Sequence, residues 1–244
     1  MISVSKRGYD MEISSKSILA VIPTYKECES LRVLVPKLLD QVKGIHILIV
    51  DDLSQDGTEE LVNELQENFG QAVRIISRID DPSYAKSLLE GIKFGIKSGY
   101  STLIQMDADG SHAPKDIIKL ISAEGDVVIG SRYLKDSNVV NVPLLRQFYS
   151  VLGNIYISLI WKSRLRDKTN GFRLFRSHAL GVLADFNVSS LGFAVQIQTL
   201  KSLSKDKRIQ ITEVPVEFIF RQIGSSKFDM KKLFEALVIA TKAK

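Results

Sequence analysis

Two carboxylates stand one residue apart in the stretch Gln105-Met106-Asp107-Ala108-Asp109-Gly110-Ser111-His112, directly after an apolar run. Side-chain oxygens at this density bind hard divalent cations such as Mg²⁺ or Mn²⁺, and a cation held there can bridge the phosphates of a nucleotide. Asp and Gly are also favoured in tight turns that follow strands, so the pair alone fits a simple turn as well. A metal and nucleotide site at Asp107 and Asp109 is our first hypothesis.

Two arginines, Arg132 and Arg146, are candidates for holding a second phosphate group. A guanidinium group donates paired hydrogen bonds to phosphate and keeps its charge when partly buried. A phosphate monoester has a second pKa of about 6, so at neutral pH it is already an ionised nucleophile that needs positioning more than a general base. Ordinary surface arginines would give the same pattern.

Five apolar runs rich in β-branched residues predict buried parallel strands. They cover residues 17–22, 45–50, 72–77, 101–106 and 126–129, and helical patterns lie between them at residues 28–41, 58–69, 84–97 and 114–121. This alternation predicts an α/β fold, a doubly wound and mostly parallel sheet flanked by helices, with ligands at the carboxyl ends of the strands. Helices at residues 144–162 and 191–203 and a strand at residues 209–220 complete the prediction.

Polar clusters follow three of the predicted strands. Pro23-Thr24-Tyr25-Lys26-Glu27 follows the first strand, Asp51-Asp52 the second, and Asp107-Ala108-Asp109 the fourth. Because the carboxyl ends of parallel strands meet at one edge of a sheet, we expect these clusters in one cleft. Uncompensated carboxylates repel one another and are costly to desolvate, so their accumulation favours a ligand site over a plain sheet edge.

The composition fits one compact domain. The chain has 244 residues, of which 45% are hydrophobic, enough to bury a sizeable core. The net charge of +5 is spread along the chain without a long basic block, so nucleic acid is not expected as the main partner. Cys28 is the only cysteine, which excludes an internal disulfide, and we interpret it as a small packed side chain rather than a reactive thiol.

Membrane contact is suggested by two amphipathic patterns. Residues 1–16 are polar and lack the apolar core of a secretory signal, and no apolar run reaches the roughly 20 residues that cross a bilayer. Residues 148–161 carry one polar stripe of Ser150, Asn154 and Ser158, and residues 230–241 form an apolar face with lysines at its ends. Both patterns suit a helix lying on a membrane surface. A core helix fits the first equally well, and core docking or dimer packing fits the second.

Six motifs occur in a fixed order along the chain. They are Pro23-Thr24-Tyr25-Lys26-Glu27, Val50-Asp51-Asp52-Leu53-Ser54-Gln55-Asp56-Gly57-Thr58, Asp107-Ala108-Asp109, Gly130-Ser131-Arg132-Tyr133, Thr169-Asn170-Gly171-Phe172-Arg173 and Arg221-Gln222-Ile223-Gly224-Ser225-Ser226-Lys227. Together they resemble the family-2 glycosyltransferases of the GT-A fold, and within that family the dolichyl-phosphate mannose synthases and related polyprenyl-phosphate glycosyltransferases. The resemblance implies a polar tail at residues 1–16 and a GT-A domain at residues 17–228, with a nucleotide-binding half at 17–130 and an acceptor half at 131–228. Residues 229–244 are then a C-terminal amphipathic helix.

The resemblance also implies which residues form the site. Those that hold the nucleotide are Pro23, Tyr25, Glu27, Asp51, Asp52 and Asp107. Those that bind the metal are Asp107, Asp109 and Ser111. Those that bind phosphate groups are Arg132, Arg146, Arg221 and Lys227, of which the last two lie on a loop that closes over the diphosphate. The expected catalytic residues are Asp109, Arg132 and Arg146.

Four positions depart from the pattern of the family. The usual Asn of the first motif is Lys26, and the common Gly or Ser after the Asp-Asp pair is Leu53. A Gly-rich segment expected before the third helix is replaced by Asp81-Pro82-Ser83-Tyr84-Ala85-Lys86-Ser87, and a Glu on the 191–203 helix is Gln198. We expect the first three changes to affect the preference for sugar and base, and Gln198 argues against a general base on the acceptor side at that position.

Three further side chains near the motifs receive structural interpretations. We expect His112 to pack beside the acidic loop and to hydrogen-bond the backbone, because a Mg²⁺ site prefers oxygen ligands. We expect Asp167 and Arg173 to form an ion pair in the floor of the cleft. An Asp167 that reaches the sugar is the alternative.

The residues and the resemblance together predict an inverting glycosyltransferase that depends on Mg²⁺ or Mn²⁺. We expect it to move a hexose, mannose from GDP-mannose, to dolichyl or another polyprenyl phosphate while bound peripherally to the cytoplasmic face of a membrane, with a membrane-anchoring partner subunit as a further partner to consider. The alternatives are UDP-glucose as donor, a glycan acceptor, or a non-catalytic nucleotide-sugar-binding protein. A dinucleotide-dependent oxidoreductase is disfavoured, since no Gly-x-Gly-x-x-Gly follows the first strand.

Overall fold

Strands and helices alternate along the first half of the chain. The computed structural model describes residues 18–80, 82–161, 163–187, 192 and 194–220. The strands of this half are β1 (Ile18–Thr24), β2 (His46–Asp51), β3 (Val73–Ser77), β4 (Thr102–Gln105) and β5 (Val127–Ser131). Its helices are α1 (Cys28–Gln41), α2 (Thr58–Phe69), α3 (Tyr84–Lys97) and α4 (Ile117–Ser122), with short 3₁₀ turns at Gly70–Ala72 and Pro114–Asp116. The bounds of α1, α2 and α3 are those predicted from the sequence.

The second half is less regular. Its elements are β6 (Asn138–Val140), α5 (Leu144–Trp161), β7 (Arg173–Arg176), α6 (Ser177–Leu183), α7 (Val195–Lys205), β8 (Ile211–Pro215) and β9 (Glu217–Ile219). The segment predicted as strand at residues 209–220 does form strand, but as two strands that belong to different sheets. β6, β7 and α6 were not predicted. The tail, the loop of Arg221 and Lys227, and the C-terminal helix lie outside the described residues.

Seven strands form one sheet in the order β3-β2-β1-β4-β7-β5-β8. β7 runs antiparallel to both of its neighbours, and every other pair of neighbouring strands is parallel. From β1 the chain builds outward to β2 and β3 on one side and then crosses to β4 on the other. This is the topological switch point at which doubly wound sheets bind ligands. The predicted α/β fold, mostly parallel and in one domain, is confirmed.

The apolar runs are explained by two cores, one on each face of the sheet. Successive side chains of a strand point to opposite faces. Ala20 and Ile22 of β1 therefore enter the core shared with α1, α2 and α4, whereas Leu19 and Val21 enter the core shared with α3, α6 and α7. Burial on both faces removes the polar alternation that a half-exposed strand would show.

One carboxylate caps two helices below the candidate site. Asp56 Oδ2 accepts a hydrogen bond from the main-chain N of Cys28 (3.1 Å), and Oδ1 accepts from the main-chain N and hydroxyl of Thr58 (3.2 and 2.6 Å). The first N–H groups of a helix have no partner within the helix, and a negative charge there also complements the helix dipole. Asp56 thereby fixes the loops after β1 and β2 relative to each other.

Helix α3 lies so close to the sheet that one of its positions admits no side chain. A Cβ on Gly91 would stand 2.3 Å from Val21 Cγ1 and 3.1 Å from Val50 Cγ2. Ala is the better helix former by about 1 kcal/mol, but an added methyl strains a packed core by about 1–3 kcal/mol. We therefore expect Gly91→Ala to lower the free energy of unfolding, measured by urea denaturation.

Gly181 in α6 provides a matched control, because no described atom lies within 4 Å of the position of its Cβ. Gly181→Ala should leave stability unchanged or raise it by up to about 1 kcal/mol. A Gly91→Ala protein as stable as Gly181→Ala would contradict the close packing of α3 on β1 and β2.

Candidate active site

The loops after β1 and β2 form one hydrogen-bonded unit at the carboxyl edge of the sheet. Asp52 N donates to the carbonyl oxygen of Thr24 (2.9 Å), and Lys26 N donates to Ser54 Oγ (2.8 Å). The carboxylate of Asp51 accepts from the main-chain N of Ser54 (3.1 Å) and from its hydroxyl. The residues predicted to hold the nucleotide are therefore brought together, with Pro23 and Glu27 buried and Tyr25 half-buried beside them.

Asp52 is held by partners of its own. Its Oδ1 accepts from Arg78 Nη1 and its Oδ2 from the main-chain N of Ser83, and Arg78 also forms an ion pair with Glu90 (3.2 Å). These contacts tie the segment between β3 and α3 to the end of β2. A carboxylate has about four acceptor sites, so Asp52 retains capacity for a ligand. Its predicted contact with the nucleotide stays a prediction.

Three residues of these two loops have a left-handed backbone without being glycine. They are Lys26 (φ +57°), Leu53 (φ +61°) and Gln55 (φ +51°). Gly and Asn enter this region readily, whereas other L-residues pay about 1–2 kcal/mol. Lys26 and Leu53 are also two of the positions at which the sequence departs from the expected family pattern. Backbone strain of this kind concentrates at ligand sites.

Asp107 and Asp109 lie half-buried at the end of β4, where the sequence places them. Asp107 Oδ1 accepts a hydrogen bond from the Tyr84 hydroxyl (2.8 Å), and Asp109 Oδ1 accepts from the main-chain N of Ser111 (3.0 Å). Gly110 permits that turn with a φ of +74°. Ser111 itself is buried. Among the residues that the structure describes, no three His, Cys, Asp or Glu side chains cluster as a metal site.

His112 and Asn170 connect the acidic loop to the loop of Arg132. Asp107 N donates to His112 Nδ1 (3.1 Å), so the proton of the neutral ring lies on Nε2, which donates to Asn170 Oδ1 (3.0 Å). The side-chain amide of Asn170 donates to the carbonyl oxygen of Gly130, and its main-chain N donates to Asp167 Oδ1 (3.1 Å). The prediction that His112 hydrogen-bonds the backbone is confirmed.

Tyr84, which is half-buried, is the centre of a polar cluster beneath Asp107. Its hydroxyl donates to Asp107 Oδ1 and accepts from Gln105 Nε2 (3.2 Å) and Gln196 Nε2 (2.9 Å). Burial, and next the charge of Asp107, raise the pKa of Tyr84 well above its usual value. The hydroxyl therefore keeps its proton and remains a hydrogen-bond donor to the carboxylate at neutral pH.

Arg132 follows β5 and is held in one orientation by Asp167. Its Nε lies 2.7 Å from Asp167 Oδ2 and its Nη2 lies 2.9 Å from Oδ1, the bidentate arrangement of a strong ion pair. The guanidinium also lies between the rings of Tyr133 and Phe218, 5.3 and 5.4 Å from their centroids. Burial alone would lower the pKa of Arg132, but the neighbouring Asp167 charge raises it above its usual value. Within the described residues these contacts use Nε and Nη2, which leaves the Nη1 edge for an anion.

Asp167 and Arg173 do not form the predicted ion pair, and that prediction is wrong. Arg173 is fully buried and donates to the main-chain carbonyl oxygens of Asn170 (2.8 Å) and Gln196 (2.7 Å). Burial lowers the pKa of Arg173 to about 10, so it is still charged at neutral pH. Main-chain carbonyl oxygens accept the hydrogen bonds of the Arg173 guanidinium. The Asp167 carboxylate instead bonds Arg132, which lies 35 positions away in the sequence.

Helix α5 turns its polar stripe toward the protein and its apolar side outward. Three polar side chains bond residues at the edge of the site: Ser150 with Tyr133, Asn154 with Thr169, and Ser158 with Lys168. On the opposite side Leu144, Leu145, Phe148 and Leu159 are 84%, 65%, 57% and 73% exposed. Because this outward side is exposed, the alternative prediction that residues 148–161 form a core helix is wrong for that side. Within the described residues no helix has both the length and the apolar character to cross a bilayer.

The described residues place most of the predicted site in one cleft. The segments after β1, β2, β4 and β5 meet there, and Arg132 faces the acidic loop closely enough for Asp107 to help keep it charged. The backbone of Arg146 lies in the first turn of α5, but its side chain, like Arg221 and Lys227, is outside the described residues.

Sequence reasoning missed two residues that organise the site. Asn170 was quoted within a motif without a role, and Tyr84 was noted only as part of a segment that departs from the family. A signal was present for the partner of Tyr84: Gln105 is a polar residue at the end of an otherwise apolar buried strand, and a buried amide requires a hydrogen-bond partner. No sequence signal places Gln196 beside them, because 112 positions separate it from Tyr84.

Comparison with curated proteins yields relatives over most of the chain. A polyprenol monophosphomannose synthase of Mycolicibacterium smegmatis is 34% identical over 90% of this chain and 83% of its own length. An undecaprenyl-phosphate mannosyltransferase of Micrococcus luteus is 33% identical over 92% of this chain and 93% of its own. A dolichol-phosphate mannosyltransferase of Pyrococcus furiosus is 32% identical over 90% of this chain and 61% of its own.

Solved structures share the fold at much lower identity. Glucosyl-3-phosphoglycerate synthase from Mycobacterium tuberculosis, in complex with Mn²⁺, UDP and glucosyl-3-phosphoglycerate, aligns with a TM-score of 0.63 at 14% identity, over 91% of this chain and 76% of that one. Its complex with UDP alone gives a TM-score of 0.63 at 12% identity, over 93% and 80%. A model described as glycosyl transferase family 2 matches residues 19–183. The chain therefore belongs to glycosyl transferase family 2 and is a glycosyltransferase with the GT-A fold.

Proposed function

We propose that this chain transfers mannose from GDP-mannose to a polyprenyl phosphate such as dolichyl phosphate, with inversion at the anomeric carbon, at the cytoplasmic face of a membrane. The observation that carries the proposal is that one hydrogen-bond network, running from Arg132 through Asp167, Asn170 and His112, ends at the main chain of Asp107 and so fixes the acidic loop relative to the guanidinium. The names of the three curated relatives, each a prenyl-phosphate mannosyltransferase or synthase, support the same reaction.

The carboxylates of Asp107 and Asp109 are suited to binding the nucleotide-sugar donor through a cation. Asp107 and Asp109 would hold Mg²⁺ or Mn²⁺, and such cations are commonly bound through one or two carboxylates while phosphate oxygens and water complete the ligand set. When bound, the cation neutralises the negative charge that develops on the departing diphosphate. Asp51, Asp52 and the segment from Pro23 to Glu27 would hold the nucleoside beside it. The Mn²⁺ and UDP found in the mycobacterial structures with this fold support a metal and nucleotide site.

The guanidinium of Arg132 is suited to binding the phosphate group of the prenyl-phosphate acceptor. Phosphate monoesters have a second pKa of about 6, so a prenyl phosphate attacks without a general base and needs only to be held in line with the leaving group. Arg132 is fixed by Asp167 on one edge, and its Nη1 edge would bind the phosphate. Arg146 is proposed as the second clamp, and Arg221 and Lys227 as donors to the diphosphate.

The outward side of α5 suits the lipid. Its exposed leucines and Phe148 form an apolar surface, and the helix is attached to the Arg132 loop through the bond between Ser150 and Tyr133 (2.6 Å). A helix that lies on a membrane with its apolar side inserted would deliver the phosphate of a prenyl lipid to this cleft. An acceptor that is a small phosphorylated molecule would not require the exposed apolar surface of α5. A membrane-anchoring partner subunit stays a prediction.

The direct test is to incubate the purified protein with radiolabelled GDP-mannose, Mg²⁺ or Mn²⁺ and a polyprenyl phosphate, and to count label extracted into organic solvent. We expect labelled lipid that depends on the cation and disappears with EDTA. UDP-glucose in parallel tests the alternative donor. Extraction of glucose but not mannose would overturn the proposed donor, and no labelled lipid from either donor would overturn the proposed acceptor.

Removal of a proposed metal ligand should abolish the reaction. We expect Asp109→Ala to lower the rate of transfer by at least about 100-fold, since a single group that stabilises transition-state charge contributes about that much. The fold should persist, because Asp109 is half-buried in a surface turn. Asp185→Ala, at an exposed carboxylate after α6, is the control and should transfer at the wild-type rate. Equal activity of the two variants would exclude the acidic loop from catalysis.

Arg132 should matter for the acceptor more than for the donor. Arg132→Lys keeps the positive charge but loses the paired bonds to Asp167 and the planar edge proposed for phosphate. We expect the KM for polyprenyl phosphate to rise by about 10-fold or more, as for loss of one charge-assisted hydrogen bond of about 1.5–3 kcal/mol. The Kd for GDP should change by less than about 2-fold, because separate sites without shared partners couple by no more than about 0.5 kcal/mol. A larger effect on GDP than on the lipid would assign Arg132 to the donor.

The apolar side of α5 should bind membranes. We expect Leu145→Asp together with Leu159→Asp to weaken sedimentation with anionic lipid vesicles by about 10-fold or more, since each fully buried Leu contributes about 1.5–3 kcal/mol. Transfer to a short, water-soluble prenyl phosphate should be unchanged. Ile118→Asp, at an apolar residue of α4 that is 42% exposed, is the control and should bind vesicles normally. Normal vesicle binding by the double variant would contradict the proposed membrane contact.

A further inference from the structure

The cluster beneath Asp107 uses every bonding position of one hydroxyl group. A tyrosine hydroxyl has one proton to donate and accepts through its oxygen. In Tyr84 the oxygen accepts from the amide groups of Gln105 and Gln196, and the proton is directed to Asp107 Oδ1 (2.8 Å). The two amide donors therefore dictate the direction of the O–H bond. The hydroxyl is a fixed donor to the carboxylate rather than a freely rotating one.

The main chain at Gly171 lies close against the cluster. A Cβ on Gly171 would lie 3.2 Å from Gln196 Nε2 and 3.3 Å from both the Tyr84 hydroxyl and Asp107 Oδ1. Tyr84 is anchored from its own side as well, because it is the first residue of α3 and Ser83 Oγ caps that helix by accepting from Lys86 N (3.3 Å). Main chain and side chains thus enclose the contact between Tyr84 and Asp107.

We propose that Tyr84 is a positioning residue of the metal site, whose hydroxyl holds Asp107 in the orientation that binds the cation. The inference rests on the proposed function, in which Asp107 and Asp109 hold Mg²⁺ or Mn²⁺. With Oδ1 engaged by the hydroxyl, Oδ2 of Asp107 would be the oxygen that holds the cation. Groups that hydrogen-bond to metal ligands orient them, and their removal typically weakens metal binding by about 10–100-fold.

Tyr84 lies where the sequence departs from the expected family pattern. Tyr84 belongs to the segment Asp81-Pro82-Ser83-Tyr84-Ala85-Lys86-Ser87, which stands where the family pattern has a Gly-rich segment. Glycine offers no side-chain donor, so a Gly-rich segment leaves the metal-binding carboxylate to be oriented by other groups. Here the third helix contributes a side chain to the site.

The test is the affinity for Mn²⁺ in the presence of GDP, measured from the electron paramagnetic resonance signal of free Mn²⁺. Tyr84→Phe removes only the hydroxyl, and we expect its Kd for Mn²⁺ to rise by about 10-fold. Binding of GDP in EDTA should be unchanged, because Tyr84 is not proposed to touch the nucleotide. Tyr100→Phe is the matched control: its hydroxyl is also in a part-buried hydrogen bond, 2.6 Å from His46 Nδ1, but at the amino-terminal edge of the sheet. It should bind Mn²⁺ like the wild type.

A second variant separates positioning from a general loss of stability. Gln196→Met keeps the shape of the side chain but removes one of the two donors that direct the Tyr84 hydroxyl, so it should weaken Mn²⁺ binding without touching Asp107. Combined with Tyr84→Phe it should add no further loss, because both changes act through one hydrogen bond. Equal Mn²⁺ affinity of Tyr84→Phe and wild type, or additive losses in the double variant, would overturn the inference. A wild-type protein that binds no Mn²⁺ with GDP would overturn the proposed metal site itself, and this inference with it.

Discussion

The buried carboxylate of Asp167 is the interaction on which the geometry of the site depends. Burial by itself raises the pKa of an aspartate, but the Arg132 guanidinium and the surrounding main-chain N–H groups outweigh that effect and keep the pKa of Asp167 below its usual value. A charge removed from water is tolerated only when hydrogen bonds satisfy it completely. Asp167 accepts from Arg132, Thr169 and Asn170, so one fully buried anion fixes both the guanidinium and the turn beside it.

This constraint gives the cleft two charges of opposite sign that cannot move independently. The turn fixed by Asp167 includes Asn170, which reaches His112 and through it the main chain of Asp107. The acidic loop proposed for the cation and the guanidinium proposed for the lipid phosphate are thus joined by one hydrogen-bond network. A transfer reaction that relies on electrostatic stabilisation and alignment benefits from such preorganisation, since little reorganisation is needed when charge develops.

Local patterns in the sequence predicted the elements but not the contacts between distant ones. The bounds of α1 to α3 follow from periodicity and caps, and the acidic loop of Asp107 was found because strand and motif adjoin in the chain. β7 was missed because a strand of four residues is too short to show a clear hydrophobic pattern. Its antiparallel position between β4 and β5 depends on tertiary pairing, which a local pattern does not reveal. The partner of Asp167 was misassigned to Arg173 for the same reason. The stripe on α5 was seen, but periodicity does not tell which side of a helix faces the protein.

The central claim is that a divalent cation binds between the two carboxylates after β4, opposite Arg132. The most direct measurement is a crystal structure of the protein with GDP and Mn²⁺, in which anomalous scattering locates the ion. The account predicts one ion within about 2.0–2.3 Å of oxygens of both Asp107 and Asp109, with diphosphate oxygens completing its ligands. An ion bound elsewhere, or a diphosphate bound without an ion at these two residues, would contradict it.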